Sequence, residues 1–324
     1  MAIKSALKPV TRIPARRFGR IGVLMGGPSS EREISLKSGY AVYESLNSAG
    51  FEVVPVDVTT DKKSENIRLI KSRRIDCAFL ALHGRFGEDG QMQEILDAMR
   101  IPYTGSGAYA SRLAMDKVAS RRIFEVYGLA VPRYKVLSRF SYNPLWHRCH
   151  ASALPVVVKP STNGSSIGLS IVDKKEDLTK ATQEALAFDE IVVVEEYVQG
   201  RELTVGILDD KALPVIEIIP KKRFFDYEAK YQHGMTEYVV PAPLDEEVAF
   251  QIQRTALIAH KLLGCYGCSR VDVILDQNAV PVILEVNTIP GFTETSLLPK
   301  AAKKAGIGFS ELCLKLITLA YEKD

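Results

Sequence analysis

The 324-residue sequence lacks any apolar run approaching the roughly 18 to 20 residues of a membrane-spanning helix, and its N-terminus lacks an apolar signal core. It also lacks a dominant charge. The 42 basic and 39 acidic residues leave a net +3, too little field to recruit nucleic acid or a lipid surface. Cysteine is scarce and odd in number, with 5 in the chain. Cys265 and Cys268 form a CxxC, but no second CxxC or paired His motif accompanies it. That argues against a disulfide framework and against zinc, and Cys77, Cys149, Cys265, Cys268 and Cys313 read as small buried residues. There is neither a GxGxxG nor a Walker A motif. These absences point to a cytoplasmic protein that acts on small molecules, with neither nucleic acid nor membrane as partner.

What is present begins with a hydrophobic fraction of 46 %, enough for the cores of two or three compact units. Near the C-terminus, Ser269–Leu275 and Val282–Asn287 alternate around the polar turn Asp276–Gln–Asn278 and read as a β-hairpin. Side chains repeating every second residue put Asp272 on a face with Arg270, and Glu285 on a face with Asn287. Paired across the turn, these are hard oxygen donors beside a guanidinium. The set suits magnesium and a transferring phosphoryl group.

Residues 1 to about 18 are basic, proline-containing and aperiodic, and read as a disordered extension. Ordered structure is expected from Gly19–Met25, a strand stopping at Gly26–Glu31, followed by a helix from Glu33 to Ala49 and strands at Phe51–Val58 and Ile75–Leu82. This alternation implies a parallel sheet with its working loops beyond the strand ends. Those loops are Gly26–Glu33, with Glu31 and Ser35 at a helix start, and His83–Gly90. Helix capping and substrate binding compete as explanations of Glu31. His83 is equally readable as structural or functional.

Ile101–Gly107 is turn-rich and marks a domain boundary. A helix is expected over Ala110–Tyr127, where the pair Asp116–Lys117 reads by itself as solvated surface. Val156–Lys159 is a buried-type strand that leads into Pro160–Gly168, a loop of small hydroxylated residues between two strands. Backbone amides there can cradle phosphates, and Lys159 supplies a point charge. Ile191–Val198 ends in two acids and an aromatic residue, a pattern suited to an adenine slot. Phe224–Gly234 is aromatic, charged and irregular, as lids are.

In order, Gly26–Glu33, His83–Gly90, Met115–Lys117, Lys159–Ser161, Gly164–Gly168, Glu195–Val198, Tyr227–Tyr231, Arg270–Asp272 and Glu285–Gly291 resemble the motifs of D-alanine:D-alanine ligases, ATP-grasp enzymes, over residues 20 to 320. The resemblance implies an α/β and α+β architecture, a parallel α/β substrate domain (19–104) followed by a two-lobed ATP-grasp fold (105–199 and 200–324). It implies ATP contacts from Lys117, Lys159, Ser166, Glu195, Glu196, Tyr197, Val198, Glu202 and Lys230, and two Mg2+ (or Mn2+) held by Asp272, Glu285 and Asn287. It places the first D-alanine at Glu31 and His83 and the second at Ser296 and Leu297. Ser165 and Tyr231 would join Glu31 in a hydrogen-bonded relay, with Arg270 and Gly291 stabilising an oxyanion. A homodimer is implied as well. Tyr231 favours an amine over D-lactate as nucleophile, and Thr295 stands where many relatives have His. Another ATP-grasp ligase, of D-Ala-D-Ser or D-Ala-D-lactate type, and a non-catalytic nucleotide-binding module are the rival readings.

Overall fold

The computed structural model describes residues 18–141, 154–165, 167–221 and 235–323. The lid stretch Phe224–Gly234, together with Ser166, Lys230, Tyr231, Trp146 and Cys149, lies outside these. β1 (Ile21–Gly26), α1 (Arg32–Ser48), β2 (Val53–Val58), α2 (Lys63–Arg73), β3 (Cys77–Leu80) and α3 (Gln91–Met99) build the first unit. Its sheet runs β2-β1-β3, all parallel, as the alternation of strand and helix requires. β1 is buried along its whole length, as a strand covered by helices on both faces must be.

The expected helix over Ala110–Tyr127 is two helices, α4 (Ala108–Met115) and α5 (Lys117–Val126). Asp116 separates them. It takes an extended conformation with φ −83° and ψ 102°, and its carboxylate accepts from the amides of Val118 and Ala119. The Asp–Lys pair is therefore an N-cap and a first helical residue, not solvated surface, and Lys117 is buried at 6 % exposure. Periodicity ran through the break because the apolar spacing of both helices is in phase.

The second unit carries β4 (Tyr134–Ser138), β5 (Val156–Pro160), β6 (Ser170–Val172), α6 (Leu178–Leu186) and β7 (Ile191–Glu196), with the antiparallel order β4-β7-β5-β6. The third is a sheet of β8 (Gly200–Leu208), β9 (Lys211–Ala212), β10 (Ile216–Pro220), β11 (Thr236–Val239), and, beyond α7 (Glu246–Leu262), β12 (Cys268–Asp276) and β13 (Pro281–Asn287). Its path is β11-β10-β8-β12-β13, with β9 on β8. Two helices follow, α8 (Leu297–Lys304) and α9 (Phe309–Glu322). Among the described residues, no helix is long and apolar enough to cross a membrane. Burial pushes the thiols of Cys265 and Cys268 up to about 12, so both are neutral at physiological pH and serve as packing.

One core cluster joins the first unit to the last. Ile21, Val23, Val42, Leu46 and Phe79 pack with Phe292, Leu298, Leu312, Leu316 and Ile317. Phe18, expected within the extension, is in this core at 1 % exposure. Its ring lies 5.5 Å from that of Tyr321, and its carbonyl accepts from the Tyr321 hydroxyl at 2.7 Å. A lone Phe at the edge of a basic segment carries no periodicity, which hid it. Phe18→Ala should lower the unfolding free energy by about 3 kcal/mol, read from denaturant melts; a loss below about 1 kcal/mol would mean that this ring is not part of the core.

Candidate active site

Strand alternation builds one wall of a cleft between the second and third sheets. Val156, Val158, Val192 and Val194 point into the core beside α6, so Val157, Lys159, Val193 and Glu195 must face the other way. Register places Val157 opposite Glu195 and Lys159 opposite Val193. Lys159 Nζ then lies 2.8 Å from Glu195 Oε1, and the Arg121 guanidinium of α5 contacts Glu195 Oε2. All three are buried, Arg121 at 1 %. Burial pulls the Lys159 ammonium down to about 8, against the opposing pull of Glu195. The Glu195 carboxylate is held below its usual range by Lys159 and Arg121, although burial pushes it the other way. Its oxygens are thus committed to cations. Glu196, Tyr197 and Val198 also line the slot, and the Glu196 carboxylate takes Arg133 Nε at 2.7 Å.

The opposite wall is the predicted hairpin. Arg270 pairs with Asn287 and Asp272 with Glu285. The register shifts immediately after Asp272, and Val273 pairs with Ile283. This bulge adds a residue to β13. Ile283 and Val286 consequently both reach the core, while Leu284 and Glu285 both line the cleft. Arg270 grips Asp272 with Nε to Oδ1 and Nη2 to Oδ2, each at 2.9 Å. Thr204 Oγ1 donates to Asp272 Oδ1 at 2.6 Å and Asn287 Nδ2 to Oδ2 at 3.2 Å. Lys117 Nζ lies 3.8 Å from Glu285 Oε2. The cleft measures ≈ 330 Å³ and is lined by Lys117, Lys159, Glu195 to Val198, Glu202, Asp272 and Glu285 among others. That is the size and polarity of a small-ligand pocket. A smaller hollow beside it shares Lys117 and Glu285 and adds Glu88, Gly164 and Asn287.

The loop after β5 is stitched down along its length. Ser161 Oγ donates to Asp116 at 3.0 Å, the Thr162 amide to Asp189 at 2.8 Å, and Lys117 Nζ to the Asn163 carbonyl at 2.7 Å. Ser165 takes φ +49°, a left-handed conformation that costs a residue with a Cβ, and its hydroxyl donates to Glu31 Oε1. Glu31 is the N-cap of α1 but makes no side-chain capping bond, so of its two readings the structure removes capping. Ser35 instead braces the backbone, accepting from the Gly26 amide and donating to the Ala81 carbonyl. Gly84, at φ +73°, lets Glu31 in: a Cβ there would meet Glu31 Oε2 at 2.6 Å.

His83 is buried at 4 % exposure and clasps the third unit. Its Nδ1 lies 3.1 Å from the Ile289 carbonyl and its Nε2 2.9 Å from Ser38 Oγ, which itself accepts from the Phe292 amide. A carbonyl can only accept, so Nδ1 carries a proton, and Glu88 Oε1 lies 3.5 Å from the same nitrogen. Gly291 lies between these two clasps, and a Cβ on it would come 3.2 Å from Ser296 Oγ. Ser296 is the N-cap of α8, followed by Leu297, and makes no side-chain capping bond; a helix N-terminus of this kind suits a carboxylate. Sequence reasoning missed Glu88, whose carboxyl is pushed up by burial, along with Arg121 and Thr204. Each sits inside or beside a motif that was recognised by other residues. Tyr231, Lys230 and Ser166 lie outside the described residues.

Two family models match the chain, one described as "D-ala D-ala ligase N-terminus" over residues 20–67 and 61–106 and one as "D-ala D-ala ligase C-terminus" over residues 123–318. A D-alanine–D-alanine ligase of Geotalea uraniireducens is 47 % identical over 301 residues, spanning 93 % of this chain and 95 % of its own. The D-alanine–D-alanine ligase of Bacillus anthracis, solved with ATP, superposes with a TM-score of 0.81 at 34 % identity, covering 94 % of this chain and 98 % of its own. The VanG D-Ala:D-Ser ligase of Enterococcus faecalis gives 0.80 at 31 % identity, with 93 % and 99 % covered.

The lowered ammonium of Lys159 has a pH signature. Only the protonated form attracts phosphate, so affinity should be full below about 8 and fall above it, by about tenfold per pH unit. Calorimetric titration of ATP between pH 7 and 10 should show this rise in Kd, and Lys159→Arg should flatten it. An unchanged Kd at pH 9.5 in the unsubstituted protein would show that Lys159 does not bear on the phosphates.

Proposed function

The chain belongs to the D-alanine–D-alanine ligase family and is an ATP-dependent ligase, and we propose that its residues join two D-alanines into D-alanyl-D-alanine as follows. ATP lies in the cleft between the second and third sheets, its base against the backbone of Glu196 to Val198, its ribose at Glu202 and its phosphates at Lys117 and Lys159. The first D-alanine sets its ammonium at Glu31 and its carboxylate near His83. A carboxylate oxygen attacks the γ-phosphorus in line, the bond to the β–γ bridging oxygen breaks, and ADP leaves an acyl phosphate. Lys117, Lys159, Arg270 and Lys230 oppose the negative charge that gathers on the moving phosphoryl group.

The second D-alanine docks its carboxylate at Ser296 and Leu297, on the N-terminus of α8. Its ammonium gives up a proton through Ser165 and Tyr231, and the free amine attacks the acyl carbon. Arg270 and the Gly291 amide receive the oxyanion. Collapse forms the peptide bond and expels phosphate. Water would hydrolyse the acyl phosphate, so the loop after β5 and the stretch Phe224–Gly234 must exclude it. The contact between Glu31 and Ser165, 134 residues apart, carries this reading. It joins the loop over the phosphates to the carboxylate that would receive the first substrate's ammonium.

Asp272, Glu285 and Asn287 fit hard divalent cations: they offer oxygens without His or Cys on one face of the hairpin. Among the described residues no group of three His, Cys, Asp or Glu side chains converges, so phosphate oxygens and water would complete the shell. Two Mg2+ or Mn2+, when bound, would neutralise charge on the β- and γ-phosphates. A cytoplasmic homodimer that supplies peptidoglycan precursor completes the reading, on the support of family membership.

ADP release coupled to dipeptide analysis tests the proposal at neutral pH. D-alanine should support turnover and D-lactate far less; equal or greater use of D-lactate would remove the amine nucleophile. Glu285→Gln should retain the fold and lose about 100-fold or more in kcat, whereas a nucleotide-binding module would keep its function with that change.

A further inference from the structure

A second contact ties the phosphate loop to the first unit, three residues before Ser165. Arg85, on the loop after β3, donates through Nη2 to Thr162 Oγ1 at 2.8 Å. Thr162 Oγ1 donates in turn to Asp189 Oδ2 at 2.8 Å, and the Thr162 amide donates to the same oxygen at 2.8 Å. Arg85 Nη2 itself lies 3.9 Å from Asp189 Oδ2, whose side chain is 10 % exposed. The hydroxyl is thereby oriented, since its one proton goes to Asp189 and one of its lone pairs takes the guanidinium. The base of Arg85 is held too. Gly84 and Phe86, on either side, both take positive φ, 73° and 74°, and Phe86 is buried at 3 %. The arginine stem leaves a fixed piece of backbone, two residues from His83.

We propose that Arg85, acting through Thr162 and Asp189, is a positioning residue that clasps the phosphate loop onto the first-substrate domain. The clasp rests on the reading that this loop covers the phosphates and the acyl phosphate. Together with Glu31 and Ser165 it holds the loop at two points three residues apart, which fixes the pitch of the segment as well as its height. The bonds of Ser161, Thr162 and Asn163 to Asp116, Asp189 and Lys117 hold this end of the loop but do not tie it to the first unit. Without Arg85 the loop and its supports can shift against that unit about the Ser165 contact and admit water at the Thr162 end. With Arg85 in place, closing the loop requires the same His83–Gly90 segment that shapes the site for the first D-alanine, so loop closure and substrate seating become one event. The Arg85 side chain is 54 % exposed, and removing it opens no cavity.

The test is the ratio of ADP released to dipeptide formed, measured with ATP, magnesium and D-alanine on the full chain. Loss of stability lowers both products together and leaves the ratio at one; a leaking loop lets water take the acyl group and raises it. Arg85→Ala and Thr162→Val should each raise the ratio to about two or more and lower kcat/KM for the first D-alanine three- to tenfold. The double variant should be no worse than the more severe single one, and Thr162→Ser should behave as the unsubstituted enzyme. A ratio that stays at one in Arg85→Ala, or single effects that multiply in the double variant, overturns the clasp. Because Arg85 is exposed, its variant decides the matter even if Thr162→Val is unstable. An unsubstituted enzyme that releases ADP but forms no dipeptide would instead overturn the ligase reading itself.

Discussion

Buried charge is the constraint on which the rest of this structure depends. Placing an ammonium in a protein interior is costly unless an anion sits against it, and here Lys159, Arg121 and Lys117 are all buried around two carboxylates. Glu195 serves two of the cations and Glu285 approaches the third at 3.8 Å. Such a cluster is only partly compensated, and burial still wins at Lys159. The remaining demand for negative charge is what a polyphosphate supplies. Binding energy and folding cost are here the same quantity, with β5, β7 and α5 acting as the frame that keeps three cations from dispersing into water.

The hairpin shows how far a pattern of residues reaches. Period-two alternation around Asp276–Asn278 was sufficient for both strands and for the shared faces of Arg270 with Asp272 and of Glu285 with Asn287; that Asp272 stands opposite Glu285 and Arg270 opposite Asn287 came from the register. Alternation was not sufficient for the bulge either, because a single added residue leaves no mark in composition. Yet the bulge explains why Leu284 and Glu285 look into one cleft while their neighbours on both sides enter the core. The same limit applied at Asp116, where two in-phase helices read as one, and at Phe18, whose partner Tyr321 lies at the far end of the chain. Arg121 and Glu88 were illegible for a different reason. Their roles follow from what burial brings against them, and burial of a charged residue is not written in local sequence.

The loops that carry substrate chemistry are tied across units rather than within them. His83 and Ser38 reach Ile289 and Phe292, and Glu31 reaches Ser165. Each tie uses a backbone group or a short side chain, so little rotamer freedom is given up. Gly291 sits in the first of these ties, and its amide is positioned by the first unit as much as by its own strand. A site assembled in this way has few independent parts. It gains accuracy of placement, which catalysis by orientation needs, and it makes the parallel sheet as much a part of the active site as the cleft.

The core shared between β1 and α9 bears on how the polypeptide is made. The inner faces of Ile21, Val23 and Val42 are covered by Leu312, Leu316 and Ile317, and Ser45 meets Ser310 at 2.7 Å. During synthesis the first sheet emerges from the ribosome long before its cover does. The middle unit closes its own core from residues within about sixty positions of one another, with no residue of the C-terminal helices among them. Domain-by-domain folding from the N-terminus is the common order; here one face of the stretch translated first finds its core partners only in the stretch translated last.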